Sequence, residues 1–362
     1  MRTPLAAIEK EGFILSSLAP SPAQKRLALG VVIVLLVAFF ITAGRLSTIQ
    51  LARIDAFVPV YAAAMFVNES ITAILLFTQF SILRSRGLLV ISIGYLYTAL
   101  ILIPWMLTFP GVFAPSGLLD AGLQSTVWLF ILWHSGFAIF VIAYALLNEA
   151  EGTKRLPRGH VATAIISSIA MTAALVFALT FLVTRSNARL PGLMSDTVHL
   201  SRLWPYAAGA ASSLCCLAIL VLWVRRRSVL DLWLKVVMFV AVLEMLLISF
   251  PVPARYSVGW YSGRICGFLS GSLVLIVLLY EITTLYGRLL VAVLAQRRER
   301  EARFMTGDVV SASIAHEVRQ PCRQWSPMPT RGCAGLLAPR LMSKKRERHF
   351  RESSYMAIVR MR

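Results

Sequence analysis

Acidic side chains are scarce in this sequence: 17 Asp and Glu stand against 36 Lys and Arg in 362 residues, and charge of both signs makes up only 15%. At 58% hydrophobic residues and a mean hydropathy of +0.73, the soluble globular class is excluded. Cysteine is scarce too. None of the five falls in a Cys-x-x-Cys pattern, which removes the usual thiolate metal sites and redox pairs. Cys215 and Cys216 lie in an apolar run and read as small packing residues. A secretory cleavage signal is missing from residues 1–21, and the apolar run begins only at Leu27, after Lys25 and Arg26; it reads as an uncleaved first anchor. No internal repeat appears, nor paired spans broken by Gly or Pro, which weighs against a transporter. Nor is there a nucleic-acid fold signature, so the basic excess implies loops drawn to anionic lipid and no nucleic-acid partner.

What is present is a series of long apolar runs. A helix needs about 20 apolar residues to cross the hydrocarbon core. Runs of that kind occupy residues 27–44, 57–83, 88–108, 125–147, 161–183, 204–224, 229–250 and 265–286, which predicts an all-α integral membrane protein with eight spans. Lys25 and Arg26, Arg84 and Arg86, Lys154, Arg155 and Arg158, and Arg225 to Arg227 fall on one side in an alternating count. Arg297, Arg298 and Arg300 fall there too. The other side holds Arg45, Arg53, Arg185, Arg189, Arg202, Arg255 and Arg264. The positive-inside rule then predicts both termini in the cytoplasm, with residues 1–26 as a cytoplasmic arm.

Some polar residues interrupt the spans. Asn68 and Glu69 sit near the middle of the second, and Glu244 lies in the seventh, with Asp231 and Lys235 nearer its cytoplasmic end. A carboxylate at such depth is costly and tends to be functional or paired. Asn68, Glu69, His134 and Glu244 are therefore sensing candidates, with mutual satisfaction across the bundle as the competing account. His134, next to Trp133, is the only histidine in any span, so ligation by two histidines of one chain is unattainable; packing is the preferred reading and no metal is expected. Trp105, Trp128, Trp204 and Trp260 fall near span ends, as an interfacial belt would.

Five stretches carry a family pattern: Phe-Val-Pro-Val-Tyr at 57–61, Phe-Val-Asn-Glu-Ser-Ile-Thr-Ala at 66–73, Gln-Phe-Ser-Ile-Leu-Arg-Ser-Arg at 79–86, Leu-Thr-Phe-Pro-Gly-Val-Phe at 107–113 and Tyr-Glu-Ile-Thr-Thr-Leu-Tyr at 280–286. Together they resemble the fourth membrane-associated sensor family, the MASE type of bacterial signalling proteins. The resemblance implies an input module over 27–286, in the bacterial inner membrane, ahead of a kinase or nucleotide-cyclase output.

Beyond the last span, Leu285, Leu289 and Val293 continue an apolar stripe and residues 296–303 form a dense charged run, which predicts one helix from about 265 to 320, interrupted at most near Gly307. Residues 287–309 read as a signalling helix. Residues 310–321 read Val-Ser-Ala-Ser-Ile-Ala-His-Glu-Val-Arg-Gln-Pro. A phosphoryl-accepting histidine needs a neutral ring nitrogen, and a neighbouring carboxylate holds the opposite N–H as the imidazolium forms. His316 and Glu317 suit those roles, Pro321 is placed to bend the helix, and the string resembles the H-box of sensor histidine kinases. By that resemblance His316 is the phosphoacceptor and Glu317 the base or orienter. ATP and Mg²⁺ serve the intact family, a response regulator receives the phosphoryl group, and the chain works as a homodimer among membrane lipids. No Asn-bearing ATP motif, Gly-rich lid or Asp-x-Gly-x-Gly appears. Residues 322–362 carry ten Lys and Arg against two acidic residues, with Pro327 and Pro329 opposing a second helix. The expectation is a truncated phosphoacceptor helix and a basic tail, disordered or frame-shifted, with no cofactor bound by this chain. A non-enzymatic sensor pairing with another kinase, and a transporter, are the alternatives.

Overall fold

A computed structural model of the chain describes residues 20–150, 156–187, 189–224, 228–250 and 254–324. It forms two units, Met1–Tyr286 and Gly287–Arg362, taken separately below. In chain order the helices are α1 (Pro22–Ala43), α2 (Phe57–Leu83), α3 (Arg86–Leu107), α4 (Ser125–Ala150), α5 (Val161–Arg185), α6 (Trp204–Val224), α7 (Val229–Ser249) and α8 (Val258–Gln324). Eight are long and apolar enough to cross a membrane, the last over Val258–Thr284. The protein is an all-α, multi-pass membrane protein, and among the described residues extended backbone pairs only as isolated bridges.

Local chemistry sets the helix ends. The Ser21 hydroxyl accepts from Gln24 N–H, the Gln24 side chain accepts from Ser21 N–H, and Pro22 opens the first turn. α1 therefore starts five residues before the apolar run at Leu27, in polar residues that hydropathy does not register. α7 opens on a second capping box, in which Ser228 and Asp231 exchange hydrogen bonds and Tyr144 donates to Asp231 Oδ1 at 2.8 Å. Asp231 thus caps α7. α2 stops where Arg84 turns left-handed at φ 57° and returns its N–H to Phe80 O.

Burial separates a centre from a rim. α3 has 72% of its apolar window buried, whereas α1 has 11% and α5 17%. α3 packs against α2, α4 and α5, α6 bridges α4 and α7, and α1 leans on α7. Around this centre Phe40, Ile166, Phe177 and Trp223 point outward, the apolar outer surface a bilayer solvates.

At one end of the bundle the connectors are folded together. Bridges join Gln50 to Ser257, His199 to Ala254 and Met194 to Leu200. Gln124 binds across them: its Oε1 accepts from Leu193 N–H at 2.7 Å and Met194 N–H at 2.8 Å, and its Nε2 donates to Met194 O at 2.9 Å. Arg255 donates to Thr197 O at 3.2 Å and lies over the Phe109 ring; burial pushes its guanidinium down to about 10, still charged at neutral pH. Asp196 accepts from the backbone N–H groups of His199 and Val198, which hold its carboxyl down at about 2.

Several expectations are corrected. Trp105, Trp204 and Trp260 are fully buried in one aromatic cluster, not arrayed in an interfacial belt; only Trp128 is partly exposed, donating to Pro191 O at 3.1 Å. The last span begins at Val258, which brings Arg264 inside the helix, where it is 4% exposed. An arginine ends a hydropathy window, but here it has partners. Gly307 does not interrupt α8. In the second unit, α8 runs on to Gln324, with Pro321 inside it. Residues 325–362, and with them most of the expected tail, lie outside the described residues, as do Lys154, Arg155 and Arg225 to Arg227.

Two outcomes follow for the folded end. Gln124→Ala leaves two buried N–H groups unmatched and is expected to lower stability by about 2 kcal/mol in thermal unfolding. Because Asp196 is depressed in the folded state, its contribution is present above the ordinary aspartate value of about 3.9 and is lost as pH falls through about 2. Hydrogen-exchange protection of the Val198 and His199 amides should fall across that interval, and Asp196→Asn should flatten the dependence.

Candidate functional site

Helical spacing collects the polar residues of the membrane bundle on one set of inward faces. On α2, Tyr61, Met65 and Glu69 recur every four residues; on α7, Val237, Val240, Ala241 and Glu244 follow the i, i+3, i+4, i+7 spacing of one helix face. With Tyr95 and Thr98 of α3, His134 of α4 and Ser270 of α8, they enclose a cavity of about 60 Å³. At roughly 30 Å³ per water, it holds about two.

The wall on the α8 side is made of absent side chains. Gly259, Gly263, Gly267 and Gly271 stand four apart and so share one face. A Cβ on Gly267 would lie 3.0 Å from Glu244 Oε2, and one on Gly271 would lie 2.9 Å from Glu69 Oε1. The glycines let α8 lie directly against both carboxylates, the close helix approach that small-residue repeats allow in membranes.

Glu244 has two partners. His134 Nε2 lies 3.4 Å from its Oε2, and Arg264 Nη1 lies 3.8 Å from its Oε1. His134 Nδ1 lies 3.0 Å from Phe130 O, and since a carbonyl only accepts, Nδ1 carries the hydrogen. The contact between Nε2 and Oε2 then needs one more proton, held on either atom. Arg264 is further stabilised by the faces of Trp260, Phe130 and Trp105, with its charge 4.1, 5.0 and 5.8 Å from the ring centres.

Glu69 is less well provided. Its Oε1 accepts from Asn68 Nδ2 at 3.4 Å, and among the described residues no cation lies within ion-pair distance. Of the seven buried side-chain polar atoms without a hydrogen-bond partner among the described residues, four lie in or beside this cavity, Glu244 Oε1, Arg264 Nε, Tyr95 OH and Ser270 Oγ; the other three belong to Gln79 and Trp233. Buried groups are ordinarily matched, so four orphans in and beside one cavity mark a place built to receive something.

The model of the MASE4 family, a membrane-associated sensor, integral membrane domain, matches residues 52–286. The chain belongs to the MASE4 family. The matched stretch takes in every residue around the cavity and leaves α1 ahead of it, so the membrane part of this protein is a sensor domain. No curated protein and no solved structure matches the chain.

Of the sequence candidates, Glu69, His134 and Glu244 meet at this MASE4 cavity, and Asn68 supports Glu69 from behind. His134 and Glu244 satisfy one another in part, as the competing account has it, while Glu69 finds only an amide. Three participants escaped the sequence reading: Arg264, taken for a loop cation, and the hydroxyls of Tyr95 and Ser270. The four-residue glycine repeat was the visible signal for the α8 face. Among the described residues no group of three His, Cys, Asp or Glu converges on a metal-sized point. His316 and Glu317 lie on α8, but their side chains are outside the described residues.

Removing one member of a buried pair strands the other. Glu244→Gln is expected to cost about 3 kcal/mol in thermal unfolding because Arg264 loses its carboxylate. The double variant Glu244→Gln, Arg264→Gln should lose clearly less than the sum of the singles; strict additivity would show that the two do not interact.

Proposed function

We propose that this protein is the membrane sensor of a two-component phosphorelay in a bacterial inner membrane, with both termini cytoplasmic, the MASE4 domain as input and His316 as phosphoacceptor. One observation carries the reading. The string from Val310 to Pro321 falls within the same helix, Val258–Gln324, whose first turns line the cavity with Gly267, Ser270 and Gly271.

The chemistry follows from the residue types. A neutral ring nitrogen of His316 attacks the γ-phosphorus of ATP, a P–N bond forms, and the bond to the bridging oxygen breaks as ADP leaves with its electron pair. Glu317 accepts the hydrogen of the other ring nitrogen and so offsets the imidazolium charge. Mg²⁺ and a histidine-kinase ATP-binding domain position and neutralise the phosphates. An aspartate carboxylate of a response regulator then attacks the phosphorus, breaking the P–N bond and restoring the histidine. The working unit is a homodimer, in keeping with the paired helices such acceptor segments form.

The family match ends at residue 286, before the H-box string, which favours a second reading: a membrane binding module that pairs with a separate kinase.

The full chain in lipid nanodiscs, given ATP, Mg²⁺ and a separately prepared histidine-kinase ATP-binding domain, should acquire an acid-labile phosphoryl label. His316→Gln should abolish it and Glu317→Gln should slow it at least tenfold. Absence of label on the unaltered chain, or label that persists in His316→Gln, would overturn the phosphorelay reading; a kinase recovered bound to an unlabelled chain would favour the second.

A further inference from the structure

We propose that a second cavity, at the folded end of the membrane bundle, binds one monovalent inorganic anion of halide size against the buried guanidiniums of Arg255 and Arg264. The cavity measures about 20 Å³, room for a single water-sized group and too little for two. Both arginines line it, among the rings of Phe109, Phe130, Trp204 and Trp260.

Its wall offers donors with few acceptors to match. Arg255 and Arg264 are each 4% exposed. Rings cover the flat faces of the two groups, Phe109 at 4.7 Å from Arg255 and Trp260 at 4.1 Å from Arg264, so their N–H edges are what remains to meet a ligand. Among the described residues the Arg255 guanidinium makes one hydrogen bond, to Thr197 O, and Arg264 Nε makes none. Thr126 and Trp204, also in the wall, spend their hydrogens on Thr108 O and Ser249 Oγ. No carboxylate lines the cavity, and the Thr126 hydroxyl oxygen is its one side-chain acceptor among the described residues. A water there would need acceptors for its own two hydrogens, whereas an anion needs donors alone.

Charge points the same way. Among the described residues no carboxylate lies within ion-pair distance of Arg255. The acidic residues of the folded end, Asp55, Asp120 and Asp196, are exposed to water, with Asp55 held by Arg53 and Asp196 by His199. Asp231 caps the opposite end of α7. In the interior, Arg255, Arg264 and the extra proton of the His134–Glu244 contact supply three positive charges against the two carboxylates of Glu69 and Glu244, which leaves one in excess. A proton on Glu69 would only enlarge that excess. Burial, and the Arg264 charge after it, draw the Arg255 guanidinium down to about 10, so a negative charge in the cavity is favourable to both arginines.

The site goes beyond the proposed function and does not involve His316, so the failure of either leaves the other standing. The full chain in nanodiscs, prepared in sodium gluconate, is titrated at constant pH and ionic strength with sodium chloride, sodium bromide or sodium sulfate. Readouts are the thermal midpoint and tryptophan fluorescence, to which Trp105, Trp204 and Trp260 of the cavity wall contribute. Chloride should raise the midpoint saturably. Bromide, a heavy-atom quencher, should saturably quench part of the emission, and excess chloride should restore it. Sulfate, too large for the space, should not saturate. Arg255→Gln should weaken chloride at least tenfold. No saturable response to chloride would mean that the cavity takes water only, and equal saturation by sulfate would mean a basic surface; either overturns the proposal. So does bromide quenching that chloride fails to relieve, or an unchanged chloride affinity in Arg255→Gln. Should that variant fail to fold, Arg255→Lys and Arg264→Lys, each expected to bind several-fold more weakly, carry the same test, and unaltered affinity in both overturns it.

Discussion

Ionised side chains inside an apolar bundle must find partners there, and that requirement arranges the membrane part of this protein. Glu244 holds α4, α7 and α8 in mutual register through His134 and Arg264. Arg264 in turn recruits three aromatic rings, and those rings seed one of the two large apolar cores. In water such an ion pair would be worth little, but here breaking it leaves a charge with no solvent to turn to.

The glycine face of α8 is the steric side of the same constraint. Carboxylates can lie flush with a neighbouring helix only where that helix has no Cβ atoms in the way. Gly267 and Gly271 meet the two glutamates, while Gly259 comes against the Leu247 carbonyl near the folded end. Where the partners run out, at Glu69, Tyr95 and Ser270, a cavity remains. The matched residues at its rim and the unmatched ones inside it are what separate a receptive pocket from a packing defect.

The folded connectors close one end of the bundle with hydrogen bonds that owe nothing to hydropathy. Gln124, Arg255 and Asp196 each serve backbone groups of the segment between α5 and α6. Such side chains are invisible to a reading by apolar runs, because Gln, Arg and Asp in a connector look like any solvated loop. The misplacement of Trp105, Trp204 and Trp260 has the same origin: a tryptophan near a span end suits an interface equally well in sequence, and only a packed neighbour decides otherwise.

The sequence by itself determined the number of spans, their order and nearly all their limits, because the length and apolarity a bilayer demands are properties of contiguous residues. It also marked Glu69 and Glu244 as anomalies, since a buried carboxylate is costly wherever it falls. The tertiary structure decided which anomalies are solved and which are not: that Asp231 caps a helix, that Arg264 belongs to Glu244, and that Glu69 is left facing a cavity. Those outcomes depend on which helix faces meet across tens to hundreds of residues, and side-chain partnership at such separations is fixed by packing.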